Sequence, residues 1–329
     1  MSLVSVIMSI YNEPLSYIKE SVDSILKQTL TDFEYIIVND NPTRGDIKDY
    51  LQSFQDKRIK FIQNEYNIGL AESMNKAVLF SQSPYLARMD ADDIAVPNRI
   101  EEEYEVINQG RYDLVFSAYS CIDAEANPVV TIPHSYYTPE ELPRKILVES
   151  VIHHPTVMMT REIFNRVGGY RNFPCAQDAD MWLRMLYAGC RFYMIPKVLH
   201  KYRINPESVS AKKWYMQKLT IYYINDLFIQ RLKKGEDDFS FENYKKYLEN
   251  NEIGNEREAQ KLRRAFDFLE RGAEYSFKKK RILAIVYRVG AFVCSEKVRK
   301  NYKKTIIKKI LFNRVDRRNG KNISDNTNI

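Results

Sequence analysis

The chain has 329 residues, of which 44% are hydrophobic and 28% are charged. These proportions are those of a folded globular protein with a sizeable core, so an intrinsically disordered chain is excluded. The four cysteines show no metal-ligand spacing and are too few for a disulfide framework, which favours a reducing compartment. They are Cys121, Cys175, Cys190 and Cys294.

The net charge of +7 is distributed unevenly along the chain. From residue 278 to residue 321 there are sixteen Lys and Arg residues and only two acidic ones, Glu296 and Asp316. This segment therefore carries +14, and the rest of the chain carries −7. An acidic body followed by a strongly basic tail indicates two parts with different functions.

Neither a signal peptide nor a transmembrane helix is expected. The N-terminal segment MSLVSVIMSIYNEP has no basic region ahead of its apolar run and is predicted to form a buried strand. The longest apolar stretch, residues 282–294, is interrupted by Arg288. It is shorter than the roughly 20 residues that a membrane-spanning helix needs.

Strand-like and helix-like segments alternate through the first half of the chain. Short, nearly continuous apolar runs predict strands at residues 3–9, 33–38, 58–62, 85–89 and 114–117. Between them, apolar residues recur at helical spacing, as they do behind Pro14 and over residues 70–80. This alternation predicts an α/β fold with a mostly parallel, Rossmann-like sheet between helices.

Polar clusters follow three of the predicted strands. Residues 11–13 (YNE), 39–41 (NDN) and 90–93 (DADD) each come after an apolar run. The carboxyl ends of parallel strands lie along one edge of the sheet, and ligands bind at that edge. The three clusters are therefore expected to form one candidate site.

The character of the sequence changes near Trp214, where helices with mixed charges and then the basic tail are predicted. We expect a first domain over residues 1–212, which contains the candidate site. A helical, basic C-terminal region is expected over residues 213–329.

The sharpest local signal is the group of three carboxylates at Asp90, Asp92 and Asp93. Carboxylates this close repel one another unless a cation neutralises them, and their oxygen atoms suit Mg²⁺ or Mn²⁺. Such an ion can bridge the two phosphates of a nucleotide and stabilise charge on a leaving group. The alternative is a solvated acidic turn, or the N-cap of the helix that starts near Pro97.

Five segments together resemble the family 2 glycosyltransferases of the GT-A fold, in the order in which that family has them. They are VSVIMSIYNEP (4–14), VNDN (38–41), NEYNIGLAESMNKAV (64–78), DADD (90–93) and AQDADMWLRM (176–185). The resemblance covers roughly residues 3–210. It implies a metal-dependent enzyme of the hexosyltransferase type, which inverts the sugar as it moves it from a nucleotide-sugar donor to an acceptor hydroxyl.

The resemblance also implies roles in donor binding. Tyr11 would pack against the nucleotide base, with Glu13 near the base or ribose. Asp40 would accept a hydrogen bond from a uracil ring, so the expected donor is a UDP-sugar. Asn67 and Lys76 belong to the segment that lines the donor pocket in similar proteins.

The remaining donor contacts are implied at the acidic cluster and near the end of the resemblance. Asp90 and Asp92 would serve the ribose and the metal–diphosphate group, and both are candidate metal ligands; Asp93 is a weaker candidate. The pair Tyr202-Arg203, with Ser208, resembles the closing loop of the family, in which Arg203 would contact the diphosphate.

A second acidic segment, QDAD at residues 177–180, precedes a predicted helix. The resemblance implies that Asp178 is the general base, a positioned carboxylate that removes the proton of the acceptor hydroxyl during attack. The alternative for Asp178 is a helix cap, and Asp180 is expected to cap or orient the helix. His153-His154-Pro155 and Gly168-Gly169-Tyr170 resemble family segments on the acceptor side, although His154 would equally satisfy backbone groups.

The basic tail has an amphipathic pattern. Apolar residues on one helical face are surrounded by Lys and Arg, a pattern typical of a helix that lies in the headgroup region of an anionic membrane. The apolar residues are Tyr302, Ile306, Ile307, Ile310 and Leu311, and the lysines around them are Lys303, Lys304, Lys308 and Lys309. The alternative is a solvated basic helix that packs on its own domain.

Three other functions compete with this interpretation. A nucleotidyltransferase would also combine an α/β sheet, clustered acids and a divalent ion, but the N-terminal loop lacks the glycines and basic residues of a phosphate loop. A nucleic-acid partner is not expected, because aromatic residues do not alternate with the basic ones. A catalytically inactive subunit of a glycan-synthesis complex is the third.

The prediction is therefore a cytoplasmic enzyme, peripheral at the inner face of the membrane. It would act on a glycan or lipid-linked acceptor in bacterial surface polysaccharide or lipid-linked glycan synthesis.

Overall fold

The computed structural model describes residues 2–129, 135–204 and 213–325. The chain divides into two compact units, Met1–Ser208 and Val209–Ile329. Two expectations fall in the segment 205–212, outside the described residues: the domain boundary at residue 212 and the place of Ser208 in a closing loop. Both stay predictions.

The first unit is built around one mixed sheet, to which nine strands of the described residues contribute. They are β1 (Val4–Ile10), β2 (Phe33–Asn39), β3 (Ile59–Gln63), β4 (Tyr85–Asp90), β5 (Ile94–Ala95), β6 (Leu114–Ile122), β7 (Pro128–Val129), β8 (Val157–Thr160) and β9 (Phe192–Arg203). The order across the sheet is β3-β2-β1-β4-β8-β6-β9-β5, and β7 pairs with β6.

The strands β1 to β4 are parallel, and their register places the candidate site. β1 lies between β2 and β4, with Ser9 opposite both Val38 and Asp90. The carboxyl ends of these three strands therefore lie side by side. A helix follows each of β1, β2 and β3: α1 (Leu15–Leu26), α2 (Gly45–Ser53) and α3 (Leu70–Phe80).

Antiparallel pairs extend the sheet beyond β4. β8 is antiparallel to both β4 and β6, and β5 is antiparallel to β9, while β6 and β9 run parallel. The remaining helices of this unit are α4 (Arg99–Ile107), α5 (Leu142–Ile146), α6 (Arg161–Arg166) and α7 (Gln177–Tyr187), with a short 3₁₀ turn at His154–Thr156.

The centre of the sheet is buried on both faces. Every residue of β2 is buried, and in β1 only Ser9 is partly exposed. This agrees with the continuous apolar runs of the sequence, which are typical of strands covered by helices on both sides.

The second unit is helical. Its helices are α8 (Trp214–Lys234), α9 (Phe241–Asn250), α10 (Glu256–Phe277), α11 (Arg281–Cys294) and α12 (Glu296–Asp325). Gly272 allows α10 and α11 to approach closely, because a Cβ at this position would lie 3.3 Å from the carbonyl oxygen of Ala284. α12 packs on α8, where Lys304 pairs with Asp226 at 2.6 Å.

The predicted fold class, an α/β domain with a helical C-terminal part, is confirmed. The predicted strand and helix positions in the parallel part agree with the structure to within one or two residues. Among the described residues, no helix has both the length and the hydropathy needed to cross a bilayer.

Candidate functional site

The acidic residues at the ends of β1 and β4 lie in one electrostatic environment. Burial raises the pKa of Asp92, and the charges of Asp90, Asp93 and Glu13 raise it further. Burial is also the main cause of the raised pKa of Glu13, with a contribution from Asp90. Two of the predicted clusters, residues 11–13 and 90–93, are therefore close in space.

Asp90, Asp92 and Asp93 fit the requirements of a divalent metal ion. Each offers a carboxylate oxygen, and these oxygens all lie within 4.8 Å of one another. Carboxylates held this close at a partly buried edge repel one another, and a hard cation would relieve that repulsion. Asp90 and Asp92 are partly exposed, whereas Asp93 is fully buried.

Asp93 is already bound by protein groups. One oxygen lies 2.7 Å from His200 Nε2, and the other accepts a hydrogen bond from the Arg203 amide at 2.8 Å. Arg99 Nη1 lies 3.2 Å from His200 Nδ1. Because arginine can only donate, Nδ1 is the acceptor, and Nε2 carries the proton and donates to Asp93.

His200 is therefore neutral, in agreement with its pKa, which burial and then Arg99 lower well below the usual value. This network gives both carboxylate oxygens of Asp93 a protein partner, so Asp90 and Asp92 are the carboxylates of the cluster that remain for an ion.

Arg203 is buried, and protein acceptors take four of its five N–H groups. These acceptors are the carbonyl oxygens of Asp92, Asp123 and Ala124 and the carboxylate of Glu20. The guanidinium thus holds the backbone of the acidic cluster in place. At most one N–H remains for the predicted diphosphate contact, which stays a prediction.

Asp40 binds the loop before α3. Its Oδ1 accepts hydrogen bonds from Asn64 Nδ2 at 2.8 Å and from the Ile68 amide at 2.9 Å, and its Oδ2 accepts one from the Gly69 amide at 2.8 Å. Gly69 is the N-cap of α3. Asp40 is buried and fixes the segment that was predicted to line the donor pocket. That lining role and the predicted contact of Asp40 with a uracil ring stay predictions.

The other predicted donor-binding residues differ in exposure. Tyr11 and Asn67 are exposed. The side chain of Glu13 turns back on its own loop, where it accepts a hydrogen bond from the Tyr11 amide at 2.7 Å. Lys76 donates to Asn64 Oδ1 at 2.7 Å and so supports the same loop as Asp40.

Asp178 lies in the first turn of α7, behind Ala176, which has a left-handed backbone with φ 58°. Burial raises the pKa of Asp178; Arg88 lowers it and Asp90 raises it. Asp178, the predicted base, therefore interacts electrostatically with Asp90 of the acidic cluster. Because α7 begins at Gln177, Asp178 is not the N-cap residue.

Asp180 has a different environment, as the sequence predicted from its position two residues further on. It is buried and pairs with Arg184 at 2.7 Å and with Arg171 at 3.4 Å. Because Arg184 follows one turn later on α7, this ion pair ties the start of the helix together and leaves Asp180 in a structural role.

Arg88 is the main residue that the sequence reasoning missed. It lies on β4, is almost fully buried and pairs with Asp90. Among the described residues, its Nε and Nη1 atoms have no hydrogen-bond acceptor. A lone arginine within the apolar run YLARM was the available signal, because a buried charge needs a partner.

The segment predicted on the acceptor side is tied to α3 and to α7. Asn75 binds both backbone groups of Tyr170, with its Oδ1 accepting from the amide at 2.9 Å and its Nδ2 donating to the carbonyl at 2.8 Å. The Tyr170 hydroxyl lies 2.7 Å from His154 Nε2, and the His154 ring contacts the edge of Trp182.

An aromatic group stands beside the acidic cluster. Tyr119 stacks on His153 at 4.2 Å between ring centroids, and Tyr202 meets the same ring edge-on at 4.7 Å. Burial and then Asp93 raise the pKa of Tyr202 to about 12.

The two adjacent histidines contact different rings. His153 contacts Tyr119 and Tyr202, whereas His154 contacts Tyr170 and Trp182. The two histidine side chains therefore do not converge on one point.

Comparisons with known proteins show the family to which the chain belongs. The family model described as glycosyl transferase family 2 matches residues 5–168. An uncharacterised glycosyltransferase of Methanocaldococcus jannaschii is 38% identical over 224 residues, which cover 67% of this chain and 77% of the relative. TuaG of Bacillus subtilis, a putative teichuronic acid biosynthesis glycosyltransferase, is 32% identical over 74% of this chain and 95% of its own length.

Among solved structures, a crystal structure of S. aureus TarS residues 1–349 in complex with UDP-GlcNAc has a TM-score of 0.60 at 16% identity. It covers 91% of this chain and 92% of the TarS chain, and it supports the fold. Sequence family, fold and the acidic cluster at the strand ends lead to one assignment: the chain belongs to glycosyl transferase family 2 and is a glycosyltransferase.

Proposed function

We propose that this chain transfers a sugar from a UDP-sugar to an acceptor hydroxyl with inversion at the anomeric carbon. The observation that carries the proposal is the electrostatic proximity of Asp178 to Asp90. Asp178 is a partly exposed carboxylate with a raised pKa, and the charge of Asp90, in the acidic cluster at the strand ends, acts on it.

The donor side of the proposal rests on the edge formed by β1, β2 and β4. Tyr11 is exposed there and offers a ring face to a base, while Asp40 and Lys76 hold the adjoining loop. The TarS structure contains UDP-GlcNAc, and this similarity of fold supports a uridine nucleotide as the carrier. The family assignment decides against the nucleotidyltransferase alternative.

Asp90 and Asp92 would hold a divalent ion, Mn²⁺ or Mg²⁺. When bound, such an ion neutralises a diphosphate and the charge that develops on the leaving group. Arg88 holds Asp90 from within the sheet, and Arg203 fixes the backbone of Asp92. The two ligands are thus positioned before any ion arrives.

Asp178 would act on the acceptor. Its carboxylate takes the proton of the acceptor hydroxyl while the oxygen attacks the anomeric carbon, and the bond to the nucleoside diphosphate breaks on the opposite side. A single displacement of this kind inverts the anomeric configuration. The raised pKa of Asp178 makes it a stronger base than an exposed aspartate, and the charge of Arg88 limits that rise.

The test is hydrolysis of a panel of UDP-sugars by the full chain, with and without Mn²⁺. We expect slow, Mn²⁺-dependent release of UDP from one donor, and loss of that release in Asp178→Asn. Glu162→Gln is the matched control, because Glu162 is an exposed carboxylate in the first turn of α6 that pairs with Arg166 of the same helix. If no donor is hydrolysed and none binds with Mn²⁺ present, the catalytically inactive subunit replaces this proposal.

The acceptor and the location extend the proposal. The name of TuaG assigns that relative to teichuronic acid biosynthesis. We propose a glycan or lipid-linked acceptor in surface polysaccharide synthesis, and a chain that acts on the cytoplasmic side at an anionic membrane. The basic segment 278–321, with its charge of +14, supports this location.

A further inference from the structure

The outward face of α11 is apolar along its whole length. Five aliphatic side chains with exposed fractions between 54% and 79% occupy it. They are Ile282, Ile285, Val286, Val289 and Val293. Their spacing places them within about 100° of the helix circumference, and the residues between 281 and 294 put no polar side chain on that arc.

The opposite face of α11 already provides the packing that holds this helix in its unit. Ala284 and Ala291 are buried, and Tyr287 contacts the rings of Phe268 and Tyr275 on α10. The exposed aliphatic face is therefore not needed for the internal core. An apolar surface of this extent marks an interaction site.

A basic cluster stands at the N-terminal end of this face. Lys279, Lys280 and Arg281 are exposed; the two lysines precede α11, and Arg281 is its first residue. Positive charges at this position oppose the helix macrodipole, which favours anions at the N-terminus. Anionic groups of a partner would neutralise both the cluster and the helix end.

The length of α11 decides how it would meet a lipid surface. Its 14 residues span about 21 Å at 1.5 Å per residue, which is less than the roughly 30 Å hydrocarbon core of a bilayer. A helix with one apolar face and basic residues at its border lies in the interface plane, with the apolar face below the headgroups.

Charge disfavours a second copy of the chain as the occupant. An isologous contact through α11 would bring two copies of the segment 278–321 together, each with a net charge of +14. An anionic bilayer has the opposite charge and an apolar interior, so it complements both parts of the surface.

The basic helix predicted from the sequence, α12, is less suited to this role. Lys308 is buried and donates to Asn225 Oδ1 at 2.5 Å, and Lys304 pairs with Asp226. Two of the four lysines assigned to headgroups are therefore engaged within the unit. The apolar residues of α12 are also less exposed, with 45% for Ile306 and 49% for Ile310.

We propose that α11 is the membrane-docking element of this chain, with its aliphatic face inserted among the acyl chains of an anionic monolayer and residues 279–281 on the headgroups. This inference rests on the proposed membrane location and names the surface responsible for it. It assigns to α12 the role of packing on α8.

The experiment is co-sedimentation of the full chain with vesicles of phosphatidylcholine alone and with 30 mol% phosphatidylglycerol. We expect binding to the anionic vesicles that weakens with added salt. The variant Ile285→Glu/Val289→Glu should bind at least ~10-fold more weakly, because insertion scales with buried apolar area. Ile306→Glu/Ile310→Glu places the same change on α12 and is the matched control, expected to keep most of the binding.

The outcomes separate the two proposals. If the wild-type chain binds neither vesicle, the membrane location itself fails. If it binds and the α12 variant loses binding while the α11 variant keeps it, the location stands and the assignment to α11 is overturned. A dimer in sedimentation velocity that Ile285→Glu/Val289→Glu converts to a monomer, without a change in vesicle binding, would identify a second copy as the occupant. Retained UDP release and helical circular dichroism show that each variant is folded.

Discussion

Arg88 and Asp90 lie two residues apart on β4, so both side chains point to the same face of the sheet, where the buried guanidinium pairs with the carboxylate. The two residues act on Asp178 in opposite directions, since the charge of Arg88 lowers its pKa and that of Asp90 raises it. Arg88 therefore links the predicted metal-binding end of the site to the predicted base.

Replacing this arginine should shift the pH dependence of transfer. In Arg88→Met the pKa of Asp178 loses its main lowering charge and rises, so a larger fraction of the base is protonated at a given pH. We expect the acidic limb of the kcat profile to move to higher pH, with a loss of activity that is largest at low pH. The measurement is kcat between pH 5.5 and 9 with the donor found active.

Two further variants test this interpretation. Arg88→Lys keeps the charge and should keep the acidic limb closer to that of the wild type. Arg58→Met is the control, because Arg58 pairs with Asp56 just before β3, at the amino ends of the parallel strands and away from the acidic cluster at their carboxyl ends. We expect this variant to leave the pH profile unchanged. An acidic limb in Arg88→Met at the wild-type position would show that Arg88 does not control the base.

The base and its neighbour two residues later should separate activity from stability. In Asp178→Asn the group that accepts the hydroxyl proton is gone, and we expect kcat to fall by about 10²–10⁴-fold. The pKa of Asp178 is raised by burial, so its charge disfavours the folded state, and the amide should leave Tm unchanged or higher. Steady-state kinetics and thermal unfolding measure the two effects.

Asp180→Asn should have the opposite result. Its carboxylate is buried between Arg171 and Arg184, and losing the charge leaves two guanidinium groups with weaker compensation. Breaking such a buried pair costs about 3 kcal/mol or more, so Tm should drop by several degrees. A larger loss of kcat in Asp180→Asn than in Asp178→Asn would reverse the assignment of the base.

The parallel part of the fold could be predicted because each of its strands is a short apolar run followed by a helical repeat. β5 and β7 could not, since a strand of two residues has no periodicity. The antiparallel direction of β8 could not be predicted either, because a buried apolar run has the same sequence pattern in a parallel and in an antiparallel strand.

The grouping of Asp90 with Asp92 and Asp93 could be predicted, because the three residues are neighbours in the sequence. The contacts that Asp40 and Arg203 make within the protein could not, because their partners are far away along the chain. Arg203 binds Glu20, which lies 183 residues earlier, and no sequence spacing announces such a contact. Asp93 belongs to the same class, since its partner His200 lies on β9.

The adjacent glycines before Tyr170 should differ in their tolerance to alanine. Both have a left-handed backbone, with φ 76° at Gly168 and 68° at Gly169, so each alanine carries a strain of about 1–2 kcal/mol. A Cβ at Gly169 would lie 2.8 Å from Asn75 Oδ1, whereas none of the described atoms lies within 4 Å of one at Gly168. We expect a lower Tm for Gly169→Ala than for Gly168→Ala.

Activity provides the second measurement for this pair. Because Asn75 holds both backbone groups of Tyr170, its displacement in Gly169→Ala should also reduce transfer to the acceptor. Gly168→Ala is the control for backbone strain alone. Equal Tm and equal activity in the two variants would show that the Asn75 side chain moves away from the added Cβ with no loss of stability or activity.

The buried lysine between α8 and α12 should make the stability of the second unit depend on pH. Burial lowers the pKa of Lys308 to about 7, far below the usual value for lysine, while the unfolded chain keeps that usual value. Between pH 7 and 10 the unfolded state therefore binds more protons than the folded state, and the free energy of unfolding rises with pH, by on the order of 1 kcal/mol per pH unit.

Lys308→Met should remove this slope, whereas Lys303→Met, at an exposed position of the same helix, should retain it. Urea unfolding at pH 7, 8 and 9, followed by helical circular dichroism, measures the slope, and an equal slope in all three proteins would mean that Lys308 stays protonated in the folded state.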